Sequence, residues 1–224
     1  GLVEETNGTT SEVLIFPPFT ALETVADAID GKHIHYGAQD LHWEDQGAFT
    51  GAVSGSQIAD IGCEYVLVGH SERRHIFGEK EKLIAQKLIA AYRNGLKPML
   101  CVGENLAERE NGMTARVIGM QLKSALKVLT PDQAEVLSVA YEPVWAIGTG
   151  KAATPADAQK VCYFIREKIA KLMGEKIARK VRILYGGSVN AENAASFSIG
   201  DIDGVLVCGA SLKVDAFSEI VRSF

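Results

Sequence analysis

Residues 139–151 read VAYEPVWAIGTGK, an apolar run followed by one carboxylate and then by a mostly apolar loop. The apolar run predicts a buried strand that ends near Tyr141, which leaves Glu142 at the carboxyl end of that strand. Parallel α/β barrels carry their chemistry at this end of their strands, so the stretch favours a barrel with a functional Glu142. The alternative is an ordinary strand-to-helix turn with a glutamate at the surface.

The loop that follows Glu142 has a rigid first end, an apolar middle and a flexible second end. Pro143 fixes its own backbone angle, whereas Gly148 and Gly150 allow angles that are closed to other residues. The apolar middle would exclude water from a reacting carboxylate when the loop closes. We therefore predict a lid formed by Pro143, Val144, Trp145, Ala146, Ile147, Gly148, Thr149, Gly150 and Lys151.

The alternation of strand and helix extends from this stretch in both directions. Apolar runs predict strands at 12–16, 33–38, 65–69, 97–102, 136–141, 181–185 and 204–207. Helical patterns follow them, at 20–30, 54–61, 79–94, 114–129, 154–173, 191–197 and 214–223. Such alternation predicts a parallel sheet covered on both faces, and an open doubly wound sheet and a barrel both fit it. We favour the barrel, because polar and glycine residues follow nearly every strand, as they would around one shared site.

Composition narrows the class of protein. With 224 residues and 47% hydrophobic residues, the chain is expected to form a single barrel domain over residues 1–224. The net charge of −5 with no basic cluster argues against nucleic-acid binding, and no apolar run reaches the length of a membrane span. The four cysteines lack metal-ligand spacing, which favours reduced thiols in the cytoplasm and no structural metal.

His70 directly follows an apolar run and precedes a predicted helix start. The amides and dipole at a helix N-terminus disfavour the imidazolium form, so we expect an uncharged imidazole that donates a hydrogen bond to a carbonyl oxygen. A histidine that only caps a turn is the alternative. Because Glu72 lies close in sequence and Glu142 ends another strand, these residues form a candidate acid-base group.

Small and polar residues follow the last two predicted strands. Residues 186–188 read GGS, and residues 208–211 read CGAS. Barrels commonly bind phosphate at these two positions with loop amides, although glycine pairs after strands also serve simple tight turns. The predicted anion site consists of Gly148, Ser188, Cys208 and Gly209.

The sequence assigns no chemical role to Cys101 and leaves two readings for the loop at 46–51. Cys101 ends the fourth predicted strand and is expected to be a buried packing residue, because no histidine or aspartate lies beside it in sequence. The loop at 46–51 carries Phe49, which is either ordinary surface or a residue that inserts into another subunit.

Taken together, these motifs resemble one family, the triosephosphate isomerases. The resemblance rests on YEPVWAIGTG at 141–150, VGHSERR at 68–74, GAFTG at 47–51 and YGGSV at 185–189, and it extends from Gly1 to Phe224. It implies a (β/α)8 TIM barrel, of which this chain shows seven βα units. The implied activity is the interconversion of dihydroxyacetone phosphate and D-glyceraldehyde 3-phosphate, without cofactor or metal.

The resemblance also implies roles for single residues. Glu142 matches the base that moves a proton between adjacent carbons through an enediol, and His70 matches the neutral electrophile, with Glu72 as a supporting carboxylate. The lid would close over the phosphate and suppress its elimination. The phosphate-binding positions correspond to Gly148, Ser188, Cys208 and Gly209.

The family likeness further implies a cytoplasmic homodimer that acts in glycolysis and gluconeogenesis. Phe49 and Thr50 lie in the loop that, in relatives, reaches into the active site of a second subunit. The expected partners are therefore the triose phosphate substrate and a second copy of the chain.

Two departures from the family pattern bear on activity. Gly1 aligns within the family's first helix, so the first strand and an Asn-x-Lys segment that supplies a cation to the substrate have no counterpart in this sequence. An open barrel would expose unpaired strand edges, and we expect this unit to be supplied by further residues or by another chain. Cys208 stands where relatives usually carry glycine, with a mild effect expected.

Three functions compete at this point. An active isomerase is favoured by His70, Glu142 and the lid together. A catalytically impaired form of the same barrel, which binds phosphate ligands without turnover, is favoured by the absent lysine. Another phosphate-handling barrel isomerase, of sugar or amino-acid metabolism, would share the anion site but not the Glu-Pro-Val-Trp-Ala segment.

Overall fold

The computed structural model describes residues 1–147 and 153–224, and its centre is one parallel sheet. In the described residues the sheet has seven strands, and each strand pairs in parallel with the next along the chain. They are β1 (Val13–Ile15), β2 (Ile34–Ala38), β3 (Tyr65–Val68), β4 (Lys97–Val102), β5 (Ser138–Tyr141), β6 (Arg182–Tyr185) and β7 (Gly204–Val205). This unbroken order is that of a barrel, because a doubly wound sheet reverses its strand order at a switch point.

Helices follow the strands on the outside of the sheet. The part of the chain that is described contains α1 (Leu2–Glu5), α2 (Leu22–Ile29), α3 (Gly55–Asp60), α4 (Ser71–His75), α5 (Glu81–Arg93), α6 (Leu106–Glu110), α7 (Thr114–Leu126), α8 (Pro131–Glu135), α9 (Pro155–Met173), α10 (Glu175–Ala178) and α11 (Val214–Arg222). Short 3₁₀ turns lie at Phe19–Ala21, Val144–Ala146, Ala194–Phe197 and Gly209–Leu212. None of the described helices has both the length and the apolar character that a membrane crossing requires.

Side-chain caps fix where several helices begin. Ser54 accepts a hydrogen bond from the Gln57 amide at the start of α3, and Thr154 accepts one from the Asp157 amide at the start of α9. Pro155 then occupies the first helical position, where its missing amide proton costs nothing. These caps explain why the starts of α3 and α9 could be read from the sequence.

Alternate residues of the strands pack on opposite faces of the sheet. Val66 and Val68 of β3 belong to the main core between sheet and helices. Leu67 belongs instead to an inner cluster with Met99, Cys101 and Ala140. Cys101 is fully buried there, which confirms its predicted packing role. The register then brings the carboxyl ends of β4 and β5 side by side, with Val102 opposite Tyr141.

The sheet curls strongly between its two edges. Within residues 1–147 and 153–224, β1 pairs with β2 alone and β7 with β6 alone. A cavity of about 870 Å³ lies between these edges, and its walls include residues of β1, β6 and β7. Glu12, just before β1, accepts a hydrogen bond from Tyr65 Oη at 2.6 Å and pairs with Arg182 Nη1 at 2.5 Å. The curl therefore carries β1 close enough to reach the start of β6.

The predicted alternation of strands and helices is confirmed, but some boundaries were wrong. The helix predicted at 20–30 forms only over Leu22–Ile29, because a 3₁₀ turn over Phe19–Ala21 leads into it and Ala21 occupies the N-cap position. The helix predicted at 191–197 is reduced to a 3₁₀ turn at Ala194–Phe197. There Asn190 Oδ1 accepts hydrogen bonds from the amides of Glu192 and Asn193, which competes with helix formation.

The short helices that were not predicted include α8 and α6. Residues Pro131–Glu135 form α8, which Thr130 caps through a reciprocal pair of hydrogen bonds with Gln133. Residues Leu106–Glu110 form α6, and Asn105 caps it in the same way through Glu108. Both follow the capping-box pattern, which was the available signal in the sequence.

Candidate active site

Glu142 lies at the carboxyl end of β5, as the sequence predicted, but its side chain is buried. Its amide donates to the Val102 carbonyl at 2.7 Å, so the adjacent end of β4 fixes the backbone of this residue. The carboxylate accepts a hydrogen bond from the Ser71 amide at 2.8 Å, and the residue is 1% exposed. Few rotamers are compatible with these contacts, so the carboxylate is held at one place.

His70 lies at the end of β3 and faces Glu142. Its Nε2 is 3.0 Å from Glu142 Oε1. The imidazole Nδ1 accepts a long hydrogen bond, 3.4 Å, from the Glu72 amide at the start of α4. Within the described residues Glu142 Oε1 has no hydrogen-bond partner, so its contact with His70 Nε2 has the distance of an ion pair without the alignment of a hydrogen bond. The structure thus brings together the two groups that the sequence placed at separate strand ends.

Two influences on the charge of His70 oppose each other. Burial disfavours the imidazolium form, but the neighbouring Cys208 thiol and the Glu142 carboxylate outweigh burial and raise the pKa of His70 to about 10. The Nδ1 that accepts from the Glu72 amide carries no proton, as in an uncharged imidazole, so the neutral ring stays a prediction for the reacting site. The sequence argument considered only the helix that begins after His70, whereas the neighbouring carboxylate comes from the end of β5.

The Glu72 side chain makes fewer contacts at the site than the side chains of His70 and Glu142. Its Oε2 is 3.8 Å from His70 Nδ1, beyond hydrogen-bond distance, and its side chain is 66% exposed. Glu72 and His70 both line the large cavity described above. At this distance the Glu72 carboxylate makes no hydrogen bond to His70, and only the Glu72 amide does.

The predicted phosphate-binding residues are only partly brought together. Cys208 and Gly209 line the same cavity as His70. Ser188 Oγ instead donates to the Ala146 carbonyl at 2.6 Å, which ties the β6 loop to the start of the predicted lid. Gly148 lies outside the described residues.

The described part of the lid is a 3₁₀ turn held by an anionic side chain that the sequence analysis missed. Trp145 Nε1 donates to Glu104 Oε1 at 3.1 Å, and Tyr141 Oη donates to the same oxygen at 3.2 Å. The Arg109 guanidinium stacks over the Trp145 ring at 4.2 Å. Glu104 is the second residue after the end of β4, a position near a strand end that could have signalled a role. Residues 148–151 of the predicted lid lie outside the described residues.

The loop with Phe49 and Thr50 lies at the surface. Phe49 is exposed and packs on the His42 ring at 4.3 Å. A second exposed apolar segment follows α4, where Ile76 and Phe77 are 73% and 67% exposed. The Arg73 Nε pairs with Asp40 at 2.9 Å, and the Arg73 guanidinium lies over the Phe77 ring at 4.8 Å.

Comparison with known proteins gives a consistent result. The family model described as triosephosphate isomerase matches residues 2–224. The triosephosphate isomerase of Carboxydothermus hydrogenoformans is 56% identical over 212 residues, which cover 94% of this chain and 84% of that protein. Those of Moorella thermoacetica and Acetivibrio thermocellus are 55% and 50% identical over 213 residues, 95% of this chain and 85% of each relative.

Proposed function

The chain belongs to the triosephosphate isomerase family, and from that premise we propose that Glu142 and His70 are its catalytic pair. The protein is an isomerase that interconverts dihydroxyacetone phosphate and D-glyceraldehyde 3-phosphate through an enediol intermediate. The observation that supports the pair is the 3.0 Å contact between Glu142 Oε1 and His70 Nε2 at the carboxyl ends of β5 and β3.

The proposed reaction uses only proton transfers. The Glu142 carboxylate removes a proton from the carbon next to the substrate carbonyl, and the electron pair moves onto the carbonyl oxygen. His70 Nε2 donates a proton to that oxygen, which gives the enediol. His70 then takes up the proton of the neighbouring hydroxyl, whose oxygen becomes the new carbonyl, while Glu142 returns its proton to the adjacent carbon and completes the exchange of ketone and aldehyde. These steps require no cofactor.

Substrate binding would also favour the uncharged form of His70. A substrate between the two side chains separates the imidazole from the Glu142 carboxylate, whose contact favours the imidazolium. Burial then lowers the pKa of His70, and the neutral ring is left as the donor to the carbonyl oxygen. The uncharged imidazole would thus belong to the substrate complex rather than to the free site.

We assign the phosphate group of the substrate to the loops after β6 and β7. Cys208 and Gly209 line the cavity beside His70, which supports a phosphate position near their amides. Ser188 would join them if its hydroxyl released the Ala146 carbonyl, and Gly148 remains a prediction from the sequence. Glu72 would act only through its charge on His70.

We propose that the protein is a cytoplasmic homodimer and that residues 1–224 form one barrel domain. The exposed apolar side chains of Phe49, Ile76 and Phe77 support a second copy as the partner of this face. Unpaired cysteines without metal-ligand spacing support a reducing compartment. A form that binds phosphate without turnover is not favoured by the close relatives, each of which is a triosephosphate isomerase.

The variant Glu142→Asp tests the catalytic assignment. The shorter side chain withdraws the carboxylate from the position now 3.0 Å from His70, and we expect kcat to fall by a factor of about a hundred. Turnover of dihydroxyacetone phosphate is measured in a coupled assay. Glu135→Asp, which makes the same change in a surface residue of α8, is the matched control. Unchanged turnover in Glu142→Asp would end the proposal.

A further inference from the structure

Gln121 is a buried polar side chain of α7 that the reaction described above does not use. The residue is 5% exposed, and both ends of its carboxamide bind the backbone of Gly103. The Gly103 amide donates to Gln121 Oε1 at 2.9 Å, and Gln121 Nε2 donates to the Gly103 carbonyl at 3.1 Å. Burial of an amide is favourable only with such partners, so the pair of bonds holds the loop firmly against α7.

Gly103 lies directly against the backbone of Glu142. A Cβ atom on Gly103 would be 1.8 Å from the Glu142 carbonyl oxygen, so no side chain separates the two main chains. The neighbours of Gly103 are bonded to the same stretch. The Glu142 amide donates to the Val102 carbonyl at 2.7 Å, and the Val144 amide donates to the Glu104 carbonyl at 3.1 Å.

We propose that Gln121 is a positioning residue for the isomerisation. Its carboxamide is hydrogen bonded to the peptide groups of Gly103. The neighbouring residues of the same segment, 102–104, are hydrogen bonded to the backbone of Glu142 and of the first lid residues. A shift of Gly103 is passed on to Glu142 through main-chain contacts alone. Since proton transfer depends steeply on the distance from base to carbon, loss of the two hydrogen bonds between Gln121 and Gly103 lowers the rate of the chemical step.

The inference rests on the proposed role of Glu142, and it makes a specific kinetic prediction. Gln121 does not line the cavity beside His70, so its loss changes kcat rather than KM. In Gln121→Met, which keeps the shape but not the hydrogen bonds, we expect kcat about tenfold lower at every pH, with KM nearly unchanged.

The variant Gln121→Glu gives a readout that a purely structural role would not produce. Its ionised carboxylate cannot donate to the Gly103 carbonyl, whereas the protonated acid reproduces both bonds of the carboxamide. Burial beside a carbonyl oxygen raises the pKa of such a carboxyl group. The ratio of its kcat to that of the unaltered protein is therefore expected to rise as the pH falls from about 8 to about 6.

Two comparisons make the outcome decisive. Leu122→Ala, on the same helix and fully buried, removes packing but keeps both hydrogen bonds between Gln121 and Gly103, and its kcat per folded molecule should stay at that of the unaltered protein. Wild-type kcat in Gln121→Met, or a kcat ratio of Gln121→Glu that does not change with pH, would overturn the inference. Failure of the proposed function is distinguishable, because it would appear as unchanged turnover in Glu142→Asp.

Discussion

Cys208 differs from the other cysteines of the chain in a way that can be measured. It is exposed beside His70, whereas burial raises the pKa of Cys63 to about 11, that of Cys162 to about 12 and that of Cys101 well above its ordinary value. A thiolate is the reactive form, so these three thiols are protected twice, by burial and by protonation.

We expect iodoacetamide to modify Cys208 alone in the folded protein. The adduct on the sulfur would occupy the cavity beside His70 and reduce isomerase activity. Intact mass and peptide mapping after brief treatment measure the modified site. Cys208→Ala should resist alkylation, with no loss of activity relative to its own untreated sample. Modification of Cys101 or Cys162 before Cys208 would contradict the burial argument.

Single residues show which parts of the site a sequence can reveal. Glu142 and His70 were predicted because each directly follows an apolar run, and the end of a strand is a local feature. Their 3.0 Å contact was not predictable, since it depends on the curl of the sheet. Gln121 and Glu104 were missed because their partners, Gly103 and Trp145, belong to other elements or loops.

At the scale of elements, the strands were easier to predict than the short helices. Continuous apolar runs mark β3, β4 and β5, whose residues are buried on both faces of the sheet except for Lys97 at the start of β4. Short helices such as α6 and α8 carry little hydrophobic periodicity, and only their capping residues mark them. Asn190 Oδ1 accepts hydrogen bonds from nearby amides, and these bonds compete with the helix that was predicted at 191–197.

The exposed apolar segment after α4, Ile76 and Phe77, allows a test of the proposed homodimer. Phe77→Asp places a charge in the exposed apolar segment of Ile76 and Phe77, and we expect it to weaken self-association. Sedimentation velocity at several protein concentrations measures the change. Tyr163→Asp, at a 53% exposed position on α9, is the matched control and should leave the association state unaltered. A monomeric unaltered protein, or a fully dimeric Phe77→Asp, would contradict the proposed interface.

At the scale of the whole molecule, the function depends on a curl that brings separate strand ends together. The parallel register aligns the ends of β3, β4 and β5, and backbone bonds between loops then fix Glu142 beside His70. The helices on the outside contribute as supports, and Gln121 of α7 is the clearest case. The barrel class could be predicted from the order of elements, whereas these cross-element supports could not.

The central claim is that one carboxylate, Glu142, carries a proton between adjacent carbons of the substrate. Conversion of dihydroxyacetone phosphate in deuterium oxide, followed by proton NMR of the trapped product, tests it most directly. A base that exchanges its proton with solvent places deuterium on the carbon next to the new aldehyde, and the account predicts that label. A product formed at the full rate with no deuterium on that carbon would mean direct hydrogen transfer and would contradict it.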